Sequence, residues 1–212
     1  MKEKVNLKVI ASWDDGTTAD LKMAELMLKY DIPTIFYWPS YISRGNELAM
    51  TSSWLSEKQC KEIASQFEIG SHSVSDVSMK KMQISQISRE INDSKKHWQD
   101  VTGQPINSFA YPKNSMNSLM KALLKGAGYT SARANFIGFL NSGDDPFESK
   151  CTVQIGMDRI DYNNKCWELF AEEMIAKANE ESVFHIFGNP WDIETFGDWE
   201  NLENLLKILT GR

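Results

Sequence analysis

Trp13-Asp14-Asp15-Gly16 sets two carboxylates side by side directly after the first apolar run. Adjacent like charges repel, and a metal ion or a shared proton relieves that repulsion. Gly16 permits the sharp turn that would present both side chains at a strand tip. The structural alternative is that one of the two carboxylates caps the helix whose first turn lies near Thr18.

Two further stretches suit the same kind of site. Gly70-Ser71-His72-Ser73-Val74-Ser75-Asp76 and Val183-Phe184-His185-Ile186-Phe187-Gly188 each combine a short apolar segment, polar residues and a histidine. The chain has 3 histidines, so these segments account for all but one. The remaining one, His97, stands beside Lys95 and Lys96 on the polar side of a helix and reads as a surface residue. A lone histidine in an apolar strand is ordinarily a buried side chain satisfied by backbone. The company of the other motifs gives His185 a second reading.

The elements that must hold these residues alternate. Val5 to Trp13 reads as a strand and Ala19 to Tyr30 as a helix, stopped by Asp31-Ile32-Pro33. Thr34 to Trp38 is a strand by β-propensity, and Tyr41 to Ser53 a loop rich in Ser, Gly and Asn. Ser56 with Gln59 makes a capping box for a short helix to Gln66, followed by a strand from Phe67 to Ser71. Ile84, Ile87, Ile91 and Trp98 share one face of a long helix that ends near Thr102-Gly103. Strands are then expected at Ile106–Tyr111, Tyr129–Arg133, Cys151–Ile155 and Ser182–Phe187. Helices are expected at Ser115–Lys125, Lys165–Asn179 (Trp167, Phe170 and Met174 inward) and Trp199–Leu209. Strands alternating with helices argue for a parallel sheet with helical crossovers, and seven such units for a barrel or near-barrel. The polar motifs fall just after strands, where parallel α/β folds place their sites.

Composition narrows the class. A chain of 212 residues, 42% hydrophobic and 25% charged, is ordinary for a globular protein, and no repeat or linker divides it, so one domain is expected. A net charge of −6 without a dense Lys/Arg run argues against nucleic acid as a partner. Cys60, Cys151 and Cys166 are an odd number without C-x-x-C spacing, and read as free thiols in a reducing compartment. With no apolar stretch of membrane-spanning length and no signal-peptide apolar region, a cytoplasmic protein is expected.

Four motifs, in order, carry a family resemblance: Ser-Trp-Asp-Asp-Gly at 12–16, Gly-Ser-His-Ser-Val-Ser-Asp at 70–76, Phe-Ala-Tyr-Pro at 109–112, and Phe-His-Ile-Phe-Gly-Asn-Pro-Trp-Asp-Ile-Glu at 184–194. The chain resembles polysaccharide deacetylases of the NodB type, carbohydrate esterase family four. The resemblance covers nearly all of 1–212. It implies an α/β fold, a distorted (β/α)7-type barrel of mostly parallel strands in a single domain. It also implies one divalent metal and hydrolysis of N-acetyl groups on sugars.

Carried over by position, the resemblance makes Asp14 the general base, Asp15 the first metal ligand and His72 the second. One carboxylate then holds the cation while its neighbour takes a proton from water. The third ligand, four residues after His72, is a histidine in the family and Asp76 here. Two carboxylates and one imidazole make a harder, more anionic donor set. Zn²⁺ is the expected ion, with Mn²⁺ and Fe²⁺ as alternatives.

The other motifs depart too. The family often has Arg-x-Pro-Tyr where this chain has Ala110-Tyr111-Pro112-Lys113. The arginine that orients the base is therefore missing in place, and Arg133, after the next strand, is the available substitute. The Lys113 backbone N–H is the expected oxyanion donor. Tyr111 either lines the site or is a core aromatic. His185 matches the general acid, and Asn189 stands where similar sequences carry a histidine. Trp38 and Trp191 either stack on sugar faces or belong to the core.

The function implied is metal-dependent N-deacetylation of an N-acetylated sugar or glycan. Two alternatives stay open. Asp76, Ala110 and Asn189 favour a catalytically weakened glycan-binding relative. A hydrolase of another non-peptide C–N bond, an amide or imide, would keep the metal and change the substrate.

Overall fold

A computed structural model describes residues 7–40, 53–156, 162 and 165–212. Its centre is a sheet of seven parallel strands in the order β5-β4-β3-β2-β1-β7-β6. The strands are β1 (Lys8–Asp14), β2 (Thr34–Trp38), β3 (Glu68–Ser71), β4 (Ser108–Ala110), β5 (Ser131–Arg133), β6 (Val153–Ile155) and β7 (Val183–Gly188). Parallel strands are covered on both faces, so they appear in sequence as short apolar runs rather than alternating patterns. The fully buried Trp13, Phe36, Ile69, Phe109 and Phe184 are the result.

The sheet curls into a distorted barrel. Between its two edge strands, Ser149 bridges Arg133 in the parallel sense before the chain enters β6. The Ser149 N–H donates to Ala132 and its carbonyl accepts from the Ala134 N–H, each at 2.9 Å. The fold class expected from the strand–helix alternation and the resemblance is therefore the fold observed.

Helices α1 (Ala19–Tyr30), α2 (Glu57–Ala64), α3 (Ile84–Thr102), α4 (Ser118–Gly126), α5 (Trp167–Lys177), α6 (Pro190–Phe196) and α7 (Trp199–Thr210) accompany the sheet. The Ser56–Gln59 capping box opens α2 as expected. Ile87, Ile91 and Trp98 are the buried face of α3, whereas Ile84, in its first turn, is 58% exposed. Phe170 is half-buried, stacked on Tyr162 with ring centroids 4.4 Å apart. Observed strands are shorter than expected at β3, β4, β5 and β6, because pairing stops where chains diverge into turns. Helix α6 was not anticipated. Pro190 starts it, with no N–H to lose at that position. The start of the first expected strand, Val5, and the loop from Tyr41 lie outside the described residues.

Register fixes which residues reach the C-terminal rim. Asp14 pairs with Tyr37, Trp38 with Ser71, Ser71 with Phe109, and Ala110 with Arg133. The first two motifs and the Ala110–Pro112 turn thus gather at one end of the barrel.

Candidate metal and catalytic site

The β1–α1 turn is left-handed at two successive residues, Asp15 (φ 86°) and Gly16 (φ 74°). Gly16 is required there twice over, since a Cβ would also meet the Trp38 ring at 3.0 Å. The Asp15 N–H donates to Tyr37 at 3.1 Å. Its side-chain Oδ2 accepts from Trp191 Nε1 at 2.7 Å.

His72 leaves β3 with its N–H donated to Trp38 at 3.0 Å. Its Nδ1 lies 2.9 Å from the Ala110 carbonyl. An N–H on Nδ1 donates there, which leaves Nε2 as the donor atom for a cation. The following loop turns through left-handed Ser73 and Asp76, at φ 64° and 48°. Glu90 of α3 holds that loop, accepting from the Val74 and Ser75 N–H groups at 2.9 Å each and from Ser75 Oγ at 3.0 Å.

Asp15, His72 and Asp76 each offer a ligand atom, all within 4.8 Å of one another. His72 Nε2 and Asp76 Oδ1 are 3.1 Å apart. Two ligands at roughly 2.0–2.2 Å from one ion stand about 3–3.5 Å from each other, so this pair fits. Asp76 Oδ1 is buried and receives no aligned hydrogen bond. Burial raises Asp15 to about 6, helped by Asp76 and Asp14 against the pull of His72. Burial opposes a charge on His72, but Asp14, Asp76 and Asp15 together carry it up to about 9. The cluster is short of positive charge, and a cation among these donors answers that shortage.

Asp14 is held apart from this set. Arg133 Nη2 donates to its Oδ1 at 2.7 Å and its Oδ2 at 2.5 Å. The guanidinium is 1% exposed, with the rings of Phe187 and Tyr37 at 4.6 and 5.4 Å. The substitute arginine thus sits on the expected base.

His185 is not brought to this cluster. In the β1–β7 register it lies opposite Ile10, four residues before Asp14, which is roughly 13 Å along a strand. Its Nε2 is 2.9 Å from Ser12 Oγ, and its Nδ1 is 3.3 Å from the Lys150 carbonyl. With Ser12 and Arg133 it lines a cavity of about 570 Å³ that reaches the N-terminal ends of the strands at Thr34, Glu68 and Ser131. Burial and Arg133 push it down to about 3, so it is a neutral interior imidazole.

Other expected site residues also take different places. Trp38 is 1% exposed, packed on Trp98 and bonded through Nε1 to Asp20 Oδ2 at 2.8 Å, so it offers no face to a sugar. Tyr111 is a core aromatic whose hydroxyl donates to the Phe147 carbonyl at 3.0 Å. Trp191 orients Asp15. Asn189 is the N-cap residue of α6, at the rim, and makes no side-chain cap bond. Lys113 follows Pro112 in a left-handed conformation (φ 49°), and its ammonium lies 2.6 Å from Asp76 Oδ2. Two contributors escaped the sequence reading. Glu90 looked like any polar residue on a helix. Asp192, inside the fourth motif, is 2% exposed and raised to about 6 by burial and by Asp15.

The family model described as polysaccharide deacetylase matches residues 2–132. No curated protein matches the sequence. Among solved structures, a CE4 family pseudoenzyme from Bacillus anthracis is similar at 14% identity and TM-score 0.64, over 96% of this chain and 60% of that one. A mutant of such a pseudoenzyme with restored enzymatic activity aligns at 15% identity and TM-score 0.64, over 96% of this chain and 62% of that one. A family 4 carbohydrate esterase from Streptomyces lividans, in complex with acetate, aligns at 13% identity and TM-score 0.63, over 98% of this chain and 90% of that one. The chain spans about 60% of the length of the pseudoenzyme. At these identities the likeness is one of fold. Among the described residues, no helix is long and apolar enough to cross a membrane.

Proposed function

Since the chain belongs to the polysaccharide deacetylase family, we propose that it is a metal-dependent hydrolase that removes acetyl groups from an N-acetylated sugar or glycan. One observation carries this reading: Asp15, His72 and Asp76 converge at the rim where an arginine-held Asp14 also ends its strand. A surface patch of acids would not need a buried guanidinium or a tryptophan N–H aimed at it.

Asp15, His72 and Asp76 would hold the cation, with Zn²⁺ preferred over Mn²⁺ and Fe²⁺. When bound, such an ion supplies Lewis-acid polarisation of a carbonyl and makes water more acidic. Asp14 takes the proton from the attacking water, and Arg133 keeps its carboxylate fixed for that transfer. Trp191 and the Ala110 carbonyl fix Asp15 and His72 in orientation. Asn189 has no ionisable proton to give, and His185 lies deep in the barrel. Asp14 therefore returns the proton it has taken to the departing amine, acting as base and then acid. The Lys113 N–H remains the proposed oxyanion donor.

The ion pair on Asp76 and the fold shared with a pseudoenzyme favour a second reading, a glycan-binding relative that keeps the barrel and has lost the reaction. Acetate release from a panel of N-acetylated oligosaccharides, with each metal supplied in turn, separates the two. Release that stops on chelation supports the hydrolase. Glycan binding with no release under any metal supports the binding relative.

A further inference from the structure

Asp14, Asp15 and Asp76 each have a partner of a different kind. Asp14 has the guanidinium of Arg133. Asp15 accepts from the neutral indole N–H of Trp191. Asp76 divides its two oxygens. Oδ1 stands 3.1 Å from His72 Nε2 with no aligned donor, while Oδ2 is 2.6 Å from the Lys113 ammonium. Lys113 reaches this point because the turn after Pro112 is left-handed at both Lys113 and Asn114, each at φ 49°. Such a conformation is unfavourable for residues with a Cβ, and two in succession are uncommon.

We propose that Lys113 is a positioning and charge-compensating residue of the metal site, which holds Asp76 by one oxygen so that it meets a divalent cation as a one-oxygen, charge-neutralised ligand. The inference rests on the metal-dependent reading above. Once His72 has given up its proton to ligate, two carboxylates and a neutral imidazole present a charge of about −2, whereas the same set with Lys113 presents about −1. A cation therefore faces a less anionic site than the ligand types suggest. With Oδ2 engaged by the ammonium, Asp76 is also less free to supply both oxygens, as a larger, oxygen-seeking ion prefers. Lys113 thus selects for Zn²⁺, which accepts few ligands, and against Mn²⁺. The Lys113 side chain is 61% exposed, so its charge acts through solvent and its effect is moderate.

The test is titration of the metal-free full chain with Zn²⁺ and with Mn²⁺ by calorimetry, in wild type, Lys113→Met and Lys113→Arg. Methionine keeps most of the length and loses the charge, and arginine keeps the charge. Removing a positive charge beside a dication should tighten Mn²⁺ binding by about tenfold in Lys113→Met. Zn²⁺ should gain less, so the preference for Zn²⁺ narrows, and Lys113→Arg should behave as wild type. A merely structural lysine would not move the ratio of the two affinities. The proposal is overturned alone if wild type binds metal and Lys113→Met leaves that ratio unchanged or weakens Mn²⁺. If wild type binds neither ion, the metal-dependent reading falls and takes the proposal with it.

Discussion

Arg133, at the end of β5, places one guanidinium nitrogen against both carboxylate oxygens of Asp14, 119 residues earlier at the end of β1. Both groups are buried, so neither charge is tolerable without the other. Breaking such a pair from one side costs about 3–5 kcal/mol, because a bare buried charge is left behind. Arg133→Met should therefore lower unfolding stability by an amount in that range, measured by urea titration. Asp14→Asn combined with Arg133→Met should recover part of the loss, since the stranded charge is gone. A single-variant loss below 1 kcal/mol would show that water relieves the pair.

Trp191→Phe keeps an aromatic ring and deletes the N–H that fixes Asp15 Oδ2. Groups that orient a ligand typically contribute 10–100-fold to metal affinity. Calorimetric titration with Zn²⁺ should show a loss of that order, with thermal unfolding of the metal-free protein little changed. Unaltered affinity would return Trp191 to the role of a sugar-stacking or packing residue.

His185 gives a pH signature. Its ordinary value of 6.5 is pushed down to about 3 in the folded protein by burial and Arg133. Below about pH 6.5 the unfolded chain binds a proton there and the folded chain does not. Acid therefore favours unfolding, and stability falls as pH drops from 6.5 toward 3. His185→Gln should flatten this limb of the stability profile while leaving pH 7–8 almost unaffected by titration. Acetate release near neutral pH should stay within a few-fold of wild type. A loss of 10²-fold or more, the usual size of an acid–base contribution, would restore His185 as the general acid.

How far the sequence reaches is clear from these residues. The strands were legible because a parallel sheet covered on both faces turns each strand into an apolar run. The Asp14–Asp15 pair and the His72 stretch stood out because they follow such runs, but it was the resemblance that made Asp15, His72 and Asp76 a ligand set. What sequence does not carry is register. Ile186, Phe187 and Gly188 continue the strand beyond His185, and the pairing of His185 with Ile10 lowers it into the barrel. Trp38 ends β2 and Tyr111 follows β4, where a site residue was expected, but burial assigns both to the core. Arg133 was expected only as a substitute, since nothing local in the chain shows that β5 would bring it to β1. Glu90 had no signal, because a glutamate bonding a loop backbone looks like one facing solvent.

The division of labour between the adjacent Asp14 and Asp15 is the central claim, with proton transfer at one and cation binding at the other. The direct measurement is acetate release from N-acetylated oligosaccharides together with bound metal per chain, in wild type and Asp14→Asn. Wild type should release acetate only when loaded with a divalent ion. Asp14→Asn should keep about one ion per chain and release none. Full activity in Asp14→Asn, or a metal-loaded wild type that releases no acetate with Zn²⁺, Mn²⁺ or Fe²⁺, would contradict the account.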